Sequence, residues 1–169
     1  MIGNDIIDII QSRRESNWQR KGFVQKIFTT QEQQLISNAQ NPETTIWMLW
    51  SMKEAAYKIY NRKTKLRRYI PQQFVCTISS QNQDCILGKV NCEENVYYTK
   101  TILTQESINT IAVKSISDFK NVIEIKNKNI IKDENGVPYL INSLSNTIQD
   151  VSISHHGRFE KVVTIHFKN

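Results

Sequence analysis

Glycine and proline are scarce, 5 and 3 residues in a chain of 169, which excludes collagen-like chains and flexible linker proteins. Cysteine is as scarce. Cys76, Cys85 and Cys92 are odd in number and stand in no C-x-x-C pair, so neither a disulfide framework nor a zinc site is expected, and a reducing cytoplasm fits best. No apolar run approaches the roughly 18 residues that a membrane-spanning helix needs. The opening Met1-Ile2-Gly3-Asn4-Asp5 puts an acid where a signal peptide carries basic residues before an apolar stretch. A cytoplasmic protein without a membrane partner is the expectation.

Hydrophobic residues make up 39% and charged residues 22%, a balance that supports a folded core of its own. The length, and the lack of an obvious linker or internal repeat, predict one domain over 1–169. Lys and Arg number 22 against 16 Asp and Glu, a net charge of +6. Such a surface attracts polyanions: nucleic acid, a phosphate-rich cofactor or an acidic protein.

The segment Ile2–Ile10 reads as a buried strand whose acids, Asp5 and Asp8, point to opposite faces. A basic helical stretch with Arg13, Arg14, Arg20 and Lys21 follows, and Thr29 with Glu32 three residues on matches a capping box. The strongest helix runs from about Glu43 to Asn61. Its apolar arc, Ile46 to Ile59, is too wide for a surface helix and predicts a central one. Arg62–Arg68 (RKTKLRR) reads as a basic loop. Beyond it, Phe74–Ile78, Val96–Ile102, Ile108–Val113 and Val122–Ile125 read as strands. A turn at Asp133–Gly136 precedes the extended Val137–Ile141, and Val151–His155 and Val162–Phe167 form a hairpin. The fold class is α+β, an antiparallel sheet packed on a long central helix, with a β-rich insertion within 62–120.

Three segments suit chemistry. Asp5 sits at the edge of an aliphatic run, where a hard cation such as Mg²⁺ uses one or two carboxylates and completes its shell with water and phosphate; the plainer reading is an acid at a strand end. Glu54 and Lys58 share one helical face. An ordinary surface ion pair is the default for such spacing, but Trp47, Trp50, Ala55 and Ala56 imply close packing, and buried charges need partners. A metal ion with a pyrophosphate would supply both. In Val151-Ser152-Ile153-Ser154-His155-His156, Ser152, Ser154 and His156 share one strand face. Hydroxyls and imidazoles there suit phosphate contacts, or simply finish a hairpin.

Together these segments resemble the 4'-phosphopantetheinyl transferase superfamily, in particular its short holo-acyl-carrier-protein synthase branch. Gly3–Ile9 (GNDIIDI) is similar to the G-x-D-I-x-E-I strand, and Phe23–Glu32 to the F-x-x-R-I-[LF]-T-x-x-E segment. Trp50–Lys58 (WSMKEAAYK) carries the W/F-x-x-K-E-A-x-x-K signature. Asn135–Tyr139 resembles N-G-K-P-Y, and Val151–His155 equals V-S-I-S-H. The resemblance is weak from about Arg62 to Lys120.

The resemblance implies Mg²⁺-dependent transfer of 4'-phosphopantetheine from coenzyme A to a serine of an acidic acyl (or peptidyl) carrier protein, with release of 3',5'-ADP. It implies Asp5 and Glu54 as metal ligands, and Lys58 as a pyrophosphate contact and proton donor. Lys53, Ser154 and His155, with Ser152 assisting, would contact the phosphates of coenzyme A. The serine proton would go to Glu54 or to a metal-bound water. Arg13 and Arg14, with Arg20 and Lys21, are candidates for docking the carrier, or else an ordinary solvated helix face. A homotrimer is implied too, with the S-I-S-H strand reaching the site from a neighbouring subunit.

Two departures stand out. Val137 replaces the Lys of G-K-P, and the chain is about 50 residues longer than the short branch. The competing reading is a basic nucleic-acid-binding module using Arg62–Arg68, with Tyr60, Tyr69 and Phe74 as stacking residues. The arrangement around Glu54 argues against it, because an RNA binder has no use for it. A relative that binds coenzyme A without catalysis is disfavoured by the joint presence of Asp5, Glu54 and Lys58.

Overall fold

A computed structural model describes residues 1–126, 129–142 and 147–166. Strand β1 (Ile2–Asp8) leads into α1 (Ile9–Glu15), α2 (Phe23–Ile27), α3 (Thr30–Ser37) and the long α4 (Pro42–Thr64). Strands β2 (Val75–Gln81), β3 (Cys85–Cys92), β4 (Asn95–Leu103) and β5 (Ser107–Val113) follow as an antiparallel meander. Then come β6 (Val122–Glu124), β7 (Ile131–Lys132), β8 (Pro138–Asn142), β9 (Thr147–His156) and β10 (Phe159–Ile165). The strands form two five-stranded sheets, in the orders β1-β5-β4-β3-β2 and β6-β10-β9-β8-β7. The fold is α+β, with α4 packed on the first sheet.

Helix α4 is central because its sequence leaves it no solvent face along most of its length: Ile46, Leu49, Met52, Ala55, Ala56 and Ile59 are all fully buried. Asn41 caps it by accepting from the Thr44 amide, and Pro42 occupies its first turn. It runs one turn past the expected end, to Thr64, so Arg62 and Lys63 are helical rather than part of a basic loop. Lys65 closes it in the left-handed conformation, at φ 60°. The expected capping box at Thr29–Glu32 is present. The first strand is shorter than its run of isoleucines predicts, because the Asp8 carboxylate accepts from the amides of Ile10 and Gln11 and starts α1.

Strand β1 lies between the two halves of the molecule and, among the described residues, pairs only with β5. Its alternation turns Gly3, Asp5 and Ile7 towards α4, and Ile2, Asn4 and Asp8 towards β9 and β10. A Cβ on Gly3 would stand 2.0 Å from the Ala55 carbonyl oxygen, so the absence of a side chain lets β1 lie directly on α4. Strand β3 was not anticipated. Its run CILGKVNC is interrupted by Gly88, where a Cβ would meet Met52 and the Thr77 carbonyl. The expected terminal hairpin is formed by β9 and β10, turning at Gly157 (φ 54°). Phe167, expected at its end, lies outside the described residues.

Candidate active site

Asp5, from the middle of β1, faces the stretch of α4 that carries Ser51, Glu54 and Lys58. Lys58 Nζ stands 3.9 Å from Asp5 Oδ1. It donates to the main-chain oxygens of Asn4 at 2.6 Å and Ile153 at 3.0 Å, joining α4 to β1 and β9. One ammonium therefore sits between two carboxylates and two carbonyls, with a third N–H left to spend.

Burial pushes the Asp5 carboxyl above the usual carboxylate range, opposed by Lys58, Ser51 and His156. Burial and then the Asp5 charge raise Glu54 to about 7, while Lys58 and Tyr69 pull it down. Burial lowers Lys58, against the two acids. Two desolvated acids, one of them raised further by the charge of the other, lack positive charge. Asp5 Oδ2, Ser51 Oγ and the Tyr69 hydroxyl are buried without a hydrogen-bond partner. This donor set fits a hard divalent cation, which takes oxygen ligands and usually one or two carboxylates. Among the described residues no cluster of three His, Cys, Asp or Glu side chains could hold a metal, so the remaining ligands would be water or substrate oxygens.

Two cavities flank this centre, and His155 lines both. The first, about 360 Å³, is basic, with Lys58, Arg62, Lys132 and His155 in its wall beside Ser152 and Ser154. The second, about 350 Å³, holds Asp5 and is walled by Phe23, Trp47 and Trp50.

Ser152, Ser154 and His156 share a face of β9, and that face meets β1. Ser152 Oγ accepts from the Asn4 amide at 2.9 Å, and Ser154 Oγ accepts from Asn4 Nδ2 at 2.9 Å. His156 Nδ1 accepts from the Asp8 amide at 2.9 Å, which leaves the ring proton on Nε2, 3.1 Å from Glu15. Both serine hydroxyls keep their own proton to donate. The strand that the resemblance assigns to a neighbouring subunit thus lies in the same chain as Asp5 and Glu54, held there by these bonds and by Lys58.

Lys53 is not part of this centre, and the expectation that it contacts phosphate is corrected. It is fully buried, paired with Glu32 at 2.8 Å, and donates to the carbonyls of Pro71 and Phe74. Glu32 in turn accepts from the amides of Thr29 and Cys76. The pair ties α3, α4 and the start of β2 together. Arg13 pairs with Glu43 through three hydrogen bonds and Arg14 is exposed, both on α1.

Lys132 escaped the sequence reading, and Arg62 entered it only as part of a basic loop suited to nucleic acid or to the 3'-phosphate of coenzyme A. Arg62 reaches from the last turn of α4 to Asp150 and to the carbonyls of Pro138 and Val151. Within a run of seven mostly basic residues, nothing distinguishes it except its helical phase, one turn beyond Lys58.

The family model of the 4'-phosphopantetheinyl transferase superfamily matches residues 1–109, which include Asp5, Glu54 and Lys58 and most of the meander, where the motif resemblance is weak. The chain belongs to this superfamily. It is a 4'-phosphopantetheinyl transferase by class, with coenzyme A and a carrier protein as the substrates of that class and a divalent metal as its cofactor. The matched span ends before β9, so the roles of Ser152, Ser154 and His155 rest on the V-S-I-S-H motif and the cavity. A comparison with curated proteins found no match. No described helix is long and apolar enough to cross a membrane.

Proposed function

We propose that the protein is a Mg²⁺-dependent transferase of the holo-acyl-carrier-protein synthase type, moving 4'-phosphopantetheine from coenzyme A to a serine of an acidic acyl or peptidyl carrier protein. The carrying observation is the meeting of Asp5, Glu54 and Lys58 between a basic cavity and an aromatic one. Asp5 and Glu54 would hold the cation, and Asp5 Oδ2, buried without a hydrogen-bond partner, is free to be a ligand. When bound, the cation supplies positive charge to the pyrophosphate oxygens as the transferring phosphate becomes trigonal.

In the reaction, the carrier serine Oγ forms a bond to the β-phosphorus of coenzyme A, and the anhydride bond to the α-phosphate breaks, leaving 3',5'-ADP. The serine proton passes to Glu54. Lys58 holds the pyrophosphate with its remaining N–H and protonates the departing oxygen, helped by the burial that weakens its hold on that proton. Ser152, Ser154 and His155, in the wall of the basic cavity, bind the phosphates of coenzyme A, with Arg62 and Lys132 adding charge there.

The net charge of +6 steers an acidic carrier to the enzyme. Glu43 partly neutralises Arg13, so Arg14 carries more of the docking on α1. The same reading takes the chain as one domain, with β2–β5 as the β-rich addition within 62–120, acting in the cytoplasm, and with no need of a trimer to complete the site.

The test is mass spectrometry of an apo carrier protein incubated with the enzyme, coenzyme A and Mg²⁺. The carrier should gain the mass of phosphopantetheine, and Glu54→Ala should abolish that gain. Full turnover by Glu54→Ala would refute the assignment.

A further inference from the structure

Tyr69 lies outside every motif of the site, in the segment between α4 and β2. Its ring packs against Tyr57 (4.6 Å between centroids), Phe74 (5.6 Å) and Trp50 (5.9 Å). Trp50 and Tyr57 stand on α4 one turn before and one turn after Glu54, so these contacts bracket the Glu54 side chain. The Tyr69 hydroxyl is buried and has no hydrogen-bond partner. Because Trp50 and Tyr57 flank Glu54 on one face of α4, the ring that both of them touch lies over the face that carries the Glu54 carboxyl. Burying a phenolic O–H without a partner costs free energy, and an aromatic stack that holds it there needs a compensating role.

We propose that Tyr69 is a positioning residue: its hydroxyl donates to the Glu54 carboxylate once the cation is bound and fixes which oxygen is turned towards the metal. The inference rests on the reading of Asp5 and Glu54 as metal ligands. Hydrogen-bond donors behind a ligating carboxylate orient it, and their loss typically costs about 10–100-fold in metal affinity or activity. The phenol suits this task because its ring is clamped on three sides, so the position of its oxygen is set before the metal arrives.

The test is Tyr69→Phe in the full chain. This change keeps the ring stack and removes one oxygen. Mn²⁺ binding is followed by electron paramagnetic resonance with saturating coenzyme A, beside Glu54→Gln and the wild type, and melting is recorded with and without metal. Tyr69→Phe should bind Mn²⁺ about 10–100-fold more weakly. It should melt like the wild type without metal, gain less melting temperature from metal, and recover most of its kcat at high metal concentration. If Glu54→Gln weakens Mn²⁺ binding and Tyr69→Phe does not, the role of Tyr69 is overturned and the metal site stands. A Tyr69→Phe protein that melts lower by the same amount with and without metal, at unchanged affinity, shows a packing residue only and also overturns it. If the wild type binds no Mn²⁺, or Glu54→Gln binds it as well as the wild type, the metal reading falls and this inference falls with it.

Discussion

The backbone of Gly3 lies so close to the carbonyl of Ala55 that a β-carbon there would stand 2.0 Å from its oxygen. Asp5 is two residues further along the same strand face, and Glu54 precedes Ala55, so this one approach sets the spacing of the two carboxylates. Gly3→Ala forces β1 off α4. It is expected to cost at least the roughly 1–3 kcal/mol of ordinary overpacking, read from denaturant unfolding, and to reduce turnover more than tenfold in protein that remains folded. Wild-type turnover in Gly3→Ala would show that this contact does not position the site.

Asn4 donates to Ser152 and Ser154 across nearly the whole length of the chain, so the carboxylates and the S-I-S-H strand belong to one molecule. Asp5→Ala and the double variant Ser154→Ala/His155→Ala should each be nearly inactive. Mixed after co-refolding, they should remain so. Recovery of a substantial fraction of activity in the mixture would place the strand of one chain at the site of another.

Lys53 sits inside the KEAAYK run yet acts on the fold. Lys53→Met leaves the Glu32 carboxylate buried and unpaired, which is expected to cost about 3–5 kcal/mol, while the KM for coenzyme A of the folded fraction stays within about twofold. Lys53→Met/Glu32→Gln should regain part of that stability. A large rise in KM with unchanged stability would return Lys53 to the phosphate site.

Glu54 ionises near pH 7 when no metal is bound, raised first by burial and then by Asp5. A cation requires the ionised form, so metal affinity should fall as pH drops through about 7, and metal binding near neutral pH should release a proton, measurable by calorimetry in buffers of different ionisation enthalpy. The effect on stability has the opposite sign. The folded state holds this proton more tightly than the unfolded chain, so the contribution of Glu54 to metal-free stability is present below about pH 4.5 and lost as pH rises towards 7. Glu54→Gln should therefore flatten the metal-free melting profile across that window. An unchanged profile would mean that Glu54 is not desolvated as described.

The faces of Asp5, Glu54 and Lys58 were legible because these residues stand on regular elements, where spacing specifies a face: Asp5 opposite Asp8 on a strand, Glu54 and Lys58 a turn apart on a helix. Tyr69 lies between such elements and Lys132 on a two-residue strand too short to show a period, so spacing says nothing of where they go. Arg62 was hidden differently, since a run of basic residues reads as loop until the helix is seen to continue through it. Strand β3 was missed because Gly88, which breaks the β pattern, answers to Met52 and Thr77 from other parts of the chain.

The chain's own order of residues determined the α+β class, the buried central helix, the Thr29–Glu32 capping box and the terminal hairpin, because each depends on periodicity or on neighbours within a few positions; that the strand acid meets the helical acid and base was implied by the family resemblance. Only the tertiary structure decided that Lys53 turns inward to Glu32, that Ser152 and Ser154 meet Asn4, and that the S-I-S-H strand lies against β1 of its own chain. Those outcomes depend on which faces are pressed together and on where buried charge finds a partner, and residues more than a hundred positions apart carry no local mark of it.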